Sequence, residues 1–122
     1  MSTAADRAFV AGWRSRRQAA LRVAEAWRAE RVTEAAEAAD RLMGFPGVRR
    51  VVLFGSLARG EAGPGSDVDL WVEGLADADW LDATQVVRSA IRHAEVDVVR
   101  AERASDALRA GVAAQGVVLR VR

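Results

Sequence analysis

Residues 53–70 read LFGSLARGEAGPGSDVDL, and this stretch decides how the chain is expected to fold. The β-branched run 48–54 that leads into it predicts a buried strand. Residues 60–66 hold three glycines and a proline, which predicts a loop. The alternation of polar and apolar residues over 67–73 predicts a second strand. The stretch therefore predicts a strand, a turn, a glycine-rich loop and another strand.

Helical and extended patterns alternate through the rest of the chain. Residues 3–43 are rich in Ala, Arg and Glu at helical spacing, which predicts one long helix or two stacked helices. Further on, the patterns predict a helix over 79–93, a strand over 95–100, a helix that begins after Ser105, and an edge strand over 117–121. This alternation predicts an α/β or α+β fold built in layers.

Composition excludes several classes of protein and of site. The chain has 122 residues, 51% of them hydrophobic, and a formal net charge of +1, which fits one folded domain. It has no cysteine, every basic residue is arginine, and there is one histidine, His93. Disulfides, thiol nucleophiles, lysine Schiff bases and a Walker A lysine are therefore excluded. No apolar run suits a membrane span and no signal peptide is evident, so we expect a cytoplasmic protein without a membrane partner.

The near-neutral total hides two regions of opposite charge. Residues 1–31 carry seven arginines against three acidic residues, whereas residues 61–97 carry nine acidic residues against two arginines. A near-neutral chain gives no reason to expect direct binding of nucleic acid. The acidic region leaves two alternatives open, a cation site or a solvated acidic face.

Three aspartates stand at positions where strand geometry brings carboxylates together. Asp67 and Asp69 project to the same face of the second strand because side chains alternate. Asp97 has the same pattern on the next strand, so three carboxylates converge if the two strands are neighbours. Carboxylates this close raise each other's pKa unless a cation lies between them, and Mg²⁺ is the ion that such oxygen ligands suit. Three carboxylates match a two-metal site.

Gly55-Ser56 follows the first strand directly and suits a phosphate group. Glycine lets a phosphate approach the backbone, and the Ser56 hydroxyl can donate a hydrogen bond to a phosphate oxygen. Arg59, at the end of the turn, can pair with phosphate through its guanidinium. Each of these signals is weak when taken alone.

Taken together, residues 53–70 resemble the signature of the minimal nucleotidyltransferases of the DNA polymerase β superfamily. In that signature Gly-Ser precedes Asp-x-Asp by a loop, and here ten residues separate Ser56 from Asp67. The pair Arg59-Gly60, Ser66, and Asp97 within EVDVV also match. The resemblance covers residues 48–121, and it assigns residues 45–122 to a minimal nucleotidyltransferase domain and residues 1–44 to a long N-terminal helical extension.

The resemblance implies a small mixed β-sheet flanked by helices and transfer of a nucleoside monophosphate from a nucleoside triphosphate to a hydroxyl. It implies that Gly55, Ser56, Arg59 and Ser66 bind the nucleotide, ATP or another triphosphate. It further implies that Asp67, Asp69 and Asp97 are catalytic and hold two Mg²⁺ ions.

Small members of this family resemble the antitoxins of toxin–antitoxin pairs whose toxins are HEPN ribonucleases. The resemblance therefore implies an antitoxin that transfers AMP to its HEPN-type partner protein. The alternative is a weakly active or inactive antitoxin that neutralises its partner by binding. A third hypothesis, transfer to a small molecule, would need an acceptor pocket for which so short a chain has little room. Trp13 and Trp27 leave two alternatives open, burial against the chain's own sheet or an interface with a partner or a second copy.

Overall fold

A computed structural model describes residues 3–122 of the chain as four helices and a four-stranded sheet. The helices and strands follow one another in the order α1 (Ala4–Leu42), β1 (Arg50–Phe54), α2 (Gly55–Ala58), β2 (Val68–Glu73), α3 (Trp80–Ala90), β3 (Val96–Arg100), α4 (Asp106–Gln115) and β4 (Val117–Val121). The predicted α/β layer fold is confirmed, and residues 3–43 form one helix rather than two.

The sheet is mixed, with the strand order β3-β2-β1-β4. β1 pairs antiparallel with both β2 and β4, whereas β2 and β3 run parallel. The parallel pair is joined through α3, as a parallel connection requires. The last strand lies at an edge, as its alternation with Arg120 and Arg122 predicts.

The two faces of the sheet pack against different helices because strand side chains alternate. On one face the apolar side chains of β1 and β2 are fully buried against α1 and α3. On the other face Val52 and Trp71 pack against Val112 of α4 and against Ala101. The face that packs against α1 and α3 buries Val51, Leu53, Val68, Leu70 and Val72 of the strands, with Ala35, Leu42, Ala83 and Val87 of the helices.

Only the second half of the long helix α1 belongs to the core. Its buried residues begin at Arg31, and Asp40 forms an ion pair with Arg120 of β4. Towards the other end the side chains of Phe9 and Trp13 are 70% and 50% exposed. At about 1.5 Å per residue, the 39-residue helix is about 60 Å long, more than the sheet can cover. The apolar residues of α1 thus have helical spacing throughout, but only those in its second half are buried.

The helix predicted over 79–93 is shorter than expected. It begins at Trp80, after a 3-10 turn over Asp77–Asp79, and it ends at Ala90. Ile91 is extended and buried, and His93 has the left-handed φ of 62° on an exposed turn. The helix thus ends where the chain turns extended to place Ile91 in the core. No helix within residues 3–122 is long and apolar enough to cross a membrane.

Candidate functional site

Most of the predicted site residues lie at one end of the sheet. β1 ends there at Phe54, which pairs with Asp69 in the antiparallel register. Asp69 in turn pairs with Asp97 in the parallel register between β2 and β3. Asp67 lies one residue before β2, at the same end. The strand that carries Asp97 is thus the neighbour of β2, which is the condition for the three carboxylates to converge.

Gly55 lies directly against the Asp69 carboxylate. It begins the single helical turn α2, with a positive φ of 75°. A Cβ atom at this position would overlap the Asp69 Oδ2 atom and lie 3.2 Å from its Cγ atom. Only glycine combines this backbone conformation with so close an approach. The Gly-Ser motif and the Asp-x-Asp motif, ten residues apart in sequence, are thus in direct contact.

The electrostatics of the site centre on Asp69. Its side chain is partly buried, while Asp67 and Asp97 are exposed. Burial raises the pKa of the Asp69 carboxyl, and the charges of Asp97 and Asp67 raise it further, whereas the charge of Arg59 lowers it. The three carboxylates are therefore close enough to repel one another.

The chemistry of this donor set fits Mg²⁺. All three side chains offer carboxylate oxygens, the ligands that this hard cation prefers, and the raised pKa of Asp69 marks a negative charge that a cation would stabilise. Within residues 3–122, however, no three acidic or histidine side chains lie close enough together to form a ready metal-binding group. Whether Asp67, Asp69 and Asp97 hold metal stays a prediction.

The residues predicted to bind phosphate lie on α2 and on the loop before β2, which both adjoin this end of the sheet. Ser56 lies on α2, and its carbonyl accepts a hydrogen bond from the Glu61 N–H at 3.0 Å. Arg59 pairs instead with Glu61, with 3.1 Å between Nε and Oε2. Ser66 closes the loop before β2, where its hydroxyl accepts a hydrogen bond from the Gly63 N–H at 3.0 Å. Their role in binding a nucleotide stays a prediction.

Trp71 shares the face of Asp69 but is packed rather than free to stack on a base. Its side chain is 3% exposed, and the Arg109 guanidinium lies 5.4 Å from the ring centroid. Its burial identifies Trp71 as a packed core aromatic beside the site. Sequence reasoning overlooked a contact on the other side of the site, where Arg28 of α1 donates to the Ala62 carbonyl. The two residues are 34 positions apart, and no motif in the sequence signals their contact.

The raised pKa of Asp69 predicts an unusual pH dependence of stability. From the ordinary carboxyl pKa of 3.8 up to the raised value, the folded state holds a proton that the unfolded state has lost. The free energy of unfolding should therefore fall as pH rises through this window. We expect Asp69→Asn to lose this component, so that its stability relative to wild type increases with pH. Denaturant unfolding of both proteins with a chelator, from below pH 3.8 to neutrality, measures the difference.

The comparison isolates Asp69, since Asp67 and Asp97 are present in both proteins. Parallel stability curves for the wild type and Asp69→Asn would contradict the assignment of a raised pKa to this carboxyl. An increase of the wild-type stability with pH relative to the variant would contradict its direction.

A family model described as "Polymerase beta, Nucleotidyltransferase" matches residues 37–122, which is most of the chain. The first part of α1 lies outside the match. No curated protein matches the sequence.

Solved structures with a similar fold are described as toxin–antitoxin complexes. A toxin–antitoxin structure with AMP-PNP shares 27% identity and a TM-score of 0.61, covering 71% of this chain and 73% of the other. The structure of a tri-AMPylated HEPN toxin of Shewanella oneidensis in complex with MNT antitoxin shares 25% identity and a TM-score of 0.55. The match covers 72% of this chain and 71% of the other. A toxin–antitoxin structure of MntA-HepT shares 25% identity and a TM-score of 0.54, and the match covers 72% of this chain and 71% of the other.

Proposed function

The chain belongs to the polymerase β nucleotidyltransferase family, and on that premise we propose that it transfers AMP from ATP to a hydroxyl of a HEPN-type partner protein, as an antitoxin does. One observation carries the proposal. Asp69 lies against Gly55 and is coupled electrostatically to Asp67 and Asp97, so the two halves of the signature form one site. The AMP-PNP bound in one similar structure and the AMPylated toxin in another support ATP as the donor and a protein as the acceptor.

The roles of the side chains in the proposed reaction are those that the family signature gives to the matching residues. Gly55, Ser56, Arg59 and Ser66 would bind the triphosphate, and Asp67, Asp69 and Asp97 would hold two Mg²⁺ ions. When bound, these ions supply positive charge that stabilises the reacting oxygens. The acceptor oxygen forms a bond to the α-phosphorus, the bond to the bridging oxygen breaks, and pyrophosphate leaves. Asp97 accepts the proton of the acceptor hydroxyl.

A protein acceptor suits this chain better than a small molecule. Asp67 and Asp97 are exposed at the end of the sheet, so a bulky partner can approach them. Large apolar side chains are also exposed on the first half of α1, among them Phe9, Trp13 and Val23. Such a stripe offers a contact surface to a partner protein or to a second copy of the chain. The homo-oligomer through this helix stays a prediction.

A second candidate function is an antitoxin that acts by binding alone. The observation in its favour is that, over residues 3–122, the acidic side chains do not form a ready metal-binding group. A protein that only binds its partner would have no need of Mg²⁺ or of ATP.

Labelled ATP separates the two candidates. The protein is incubated with ATP labelled at the α-phosphate, with Mg²⁺ and with the product of the neighbouring gene. We expect label on the partner, loss of labelling when Mg²⁺ is chelated, and loss of the partner's toxicity after labelling. A partner that is bound and neutralised without label, equally by wild type and by Asp69→Asn, would show the binding function instead.

A further inference from the structure

The loop over residues 60–66, the site loop, has few internal restraints. Gly60 and Gly65 have φ values of 74° and 94°, and no atom lies within 4 Å of where a Cβ would be at either residue. The Gly63 and Ser66 residues exchange two hydrogen bonds, of 3.0 and 2.9 Å. These bonds define the turn from 63 to 66, but they do not fix its position relative to the sheet.

Contacts with α2 and with α1 hold the site loop from outside. The Glu61 N–H donates to the Ser56 carbonyl on α2, at the start of the loop. In the middle of the loop, the Arg28 Nη1 atom of α1 donates to the Ala62 carbonyl at 2.9 Å. Ala24 lies one helical turn before Arg28, and a Cβ on Gly63 would be 3.8 Å from the Ala24 Cβ. One face of α1 thus lies along the site loop.

Loss of the Arg28 contact would shift the loop that leads into the site. Ala62 is 1% exposed, and its carbonyl accepts the partly buried hydrogen bond from Arg28. Without the guanidinium, a buried carbonyl would lose its hydrogen bond, and the loop would move towards water to recover one. Ser66 and Asp67, which follow within five residues, would move with it.

We propose that Arg28 is a positioning residue, which holds the site loop so that Asp67, at its end, stays beside Asp69. The proposal rests on the proposed function of these two aspartates. Arg28 lies outside residues 37–122, the part of the chain that the family model matches. The helical extension therefore contributes to the nucleotide site through its contact with the loop, although it carries none of the signature residues.

The proposal predicts a particular kinetic change in Arg28→Met. A loop that is less often in its competent position lowers the apparent affinity for MgATP in proportion, whereas saturating nucleotide restores the loop. We expect KM for MgATP to rise about tenfold and kcat to stay within about twofold, since a weakened charge-assisted hydrogen bond is worth about a factor of ten. Amide hydrogen exchange over residues 60–67 should become faster by a similar factor.

Two further variants provide the controls. Arg28→Lys keeps a cationic donor and should restore part of the change in KM and in hydrogen exchange. Arg22→Met removes an exposed arginine from the same helix, on the face away from the loop, and should match wild type in both. A lower kcat with an unchanged KM would indicate that Arg28 only supports folding, and would overturn the proposal. So would unchanged exchange over residues 60–67.

The experiment also separates this proposal from the proposed function. If the wild type transfers no label, the proposed function fails, but the exchange rates still decide whether Arg28 holds the loop. Faster exchange in Arg28→Met and wild-type exchange in Arg22→Met would then support the positioning role. If the wild type is active and Arg28→Met has wild-type KM, the proposed function stands and the positioning role is wrong.

Discussion

Asp69→Asn is expected to lower kcat/KM for AMP transfer by at least about a thousandfold, since stabilisation by bound metal is worth several kcal/mol. Among the acids of the site, Asp69 is the one that lies against Gly55 and feels the charges of both Asp67 and Asp97. Asparagine keeps the size of the side chain but supplies only a neutral oxygen, which binds Mg²⁺ weakly. Transfer of α-labelled AMP to the partner, measured at several Mg²⁺ concentrations, gives the loss.

A matched control for this variant lies on the same strand and the same face. Glu73→Gln neutralises an acid four residues further along β2, where Glu73 pairs with Arg50 at 3.5 Å rather than with the site. We expect near-wild-type transfer from Glu73→Gln. Asp69→Asn should remain folded and be at least as stable as wild type at neutral pH, because the raised pKa shows that its charge is unfavourable in the fold. Equal transfer by Asp69→Asn and wild type would rule out the metal role of this residue.

Local sequence patterns carry most of the information about the fold. Residues 51–53 are Val-Val-Leu, and exposing these apolar side chains to water is unfavourable, so their run before Gly55 predicts a buried strand. Pro46 and Gly47 cannot continue a helix, so α1 ends before them. The end of α3 is different, because it depends on a tertiary contact. Ile91 is buried in the core, and its extended backbone is decided by that packing rather than by helix propensity.

The candidate site is predictable only in part for a similar reason. Alternation along a strand shows that Asp67 and Asp69 face the same way, and a motif resemblance points to Asp97. Which strands are neighbours is a property of the whole sheet, so the pairing of Asp69 with Asp97 stays conditional until the topology is known. The Arg28 contact has no local signal at all, because helical periodicity shows a face of α1 but not the loop that lies against it.

Gly55→Ala is expected to abolish most transfer while the protein still folds. The new Cβ would overlap the Asp69 carboxylate, so this side chain must turn away from its position in the site. A left-handed φ of 75° adds a cost of about 1–2 kcal/mol for a residue with a Cβ. We expect a loss of at least about a hundredfold in kcat/KM, equivalent to about 2.7 kcal/mol, and a modest loss of stability. Label transfer and denaturant unfolding measure the two effects separately.

Gly60→Ala is the control that separates the two causes. Gly60 has nearly the same φ, 74°, but no atom lies within 4 Å of where its Cβ would be. Both variants should therefore lose the free energy of unfolding that a left-handed φ costs, because both place a Cβ on such a backbone. Only Gly55→Ala displaces Asp69, so Gly60→Ala should keep most of its transfer activity. Equal losses of activity in the two variants would mean that backbone strain, and not the contact between Gly55 and Asp69, accounts for the requirement for glycine in the motif.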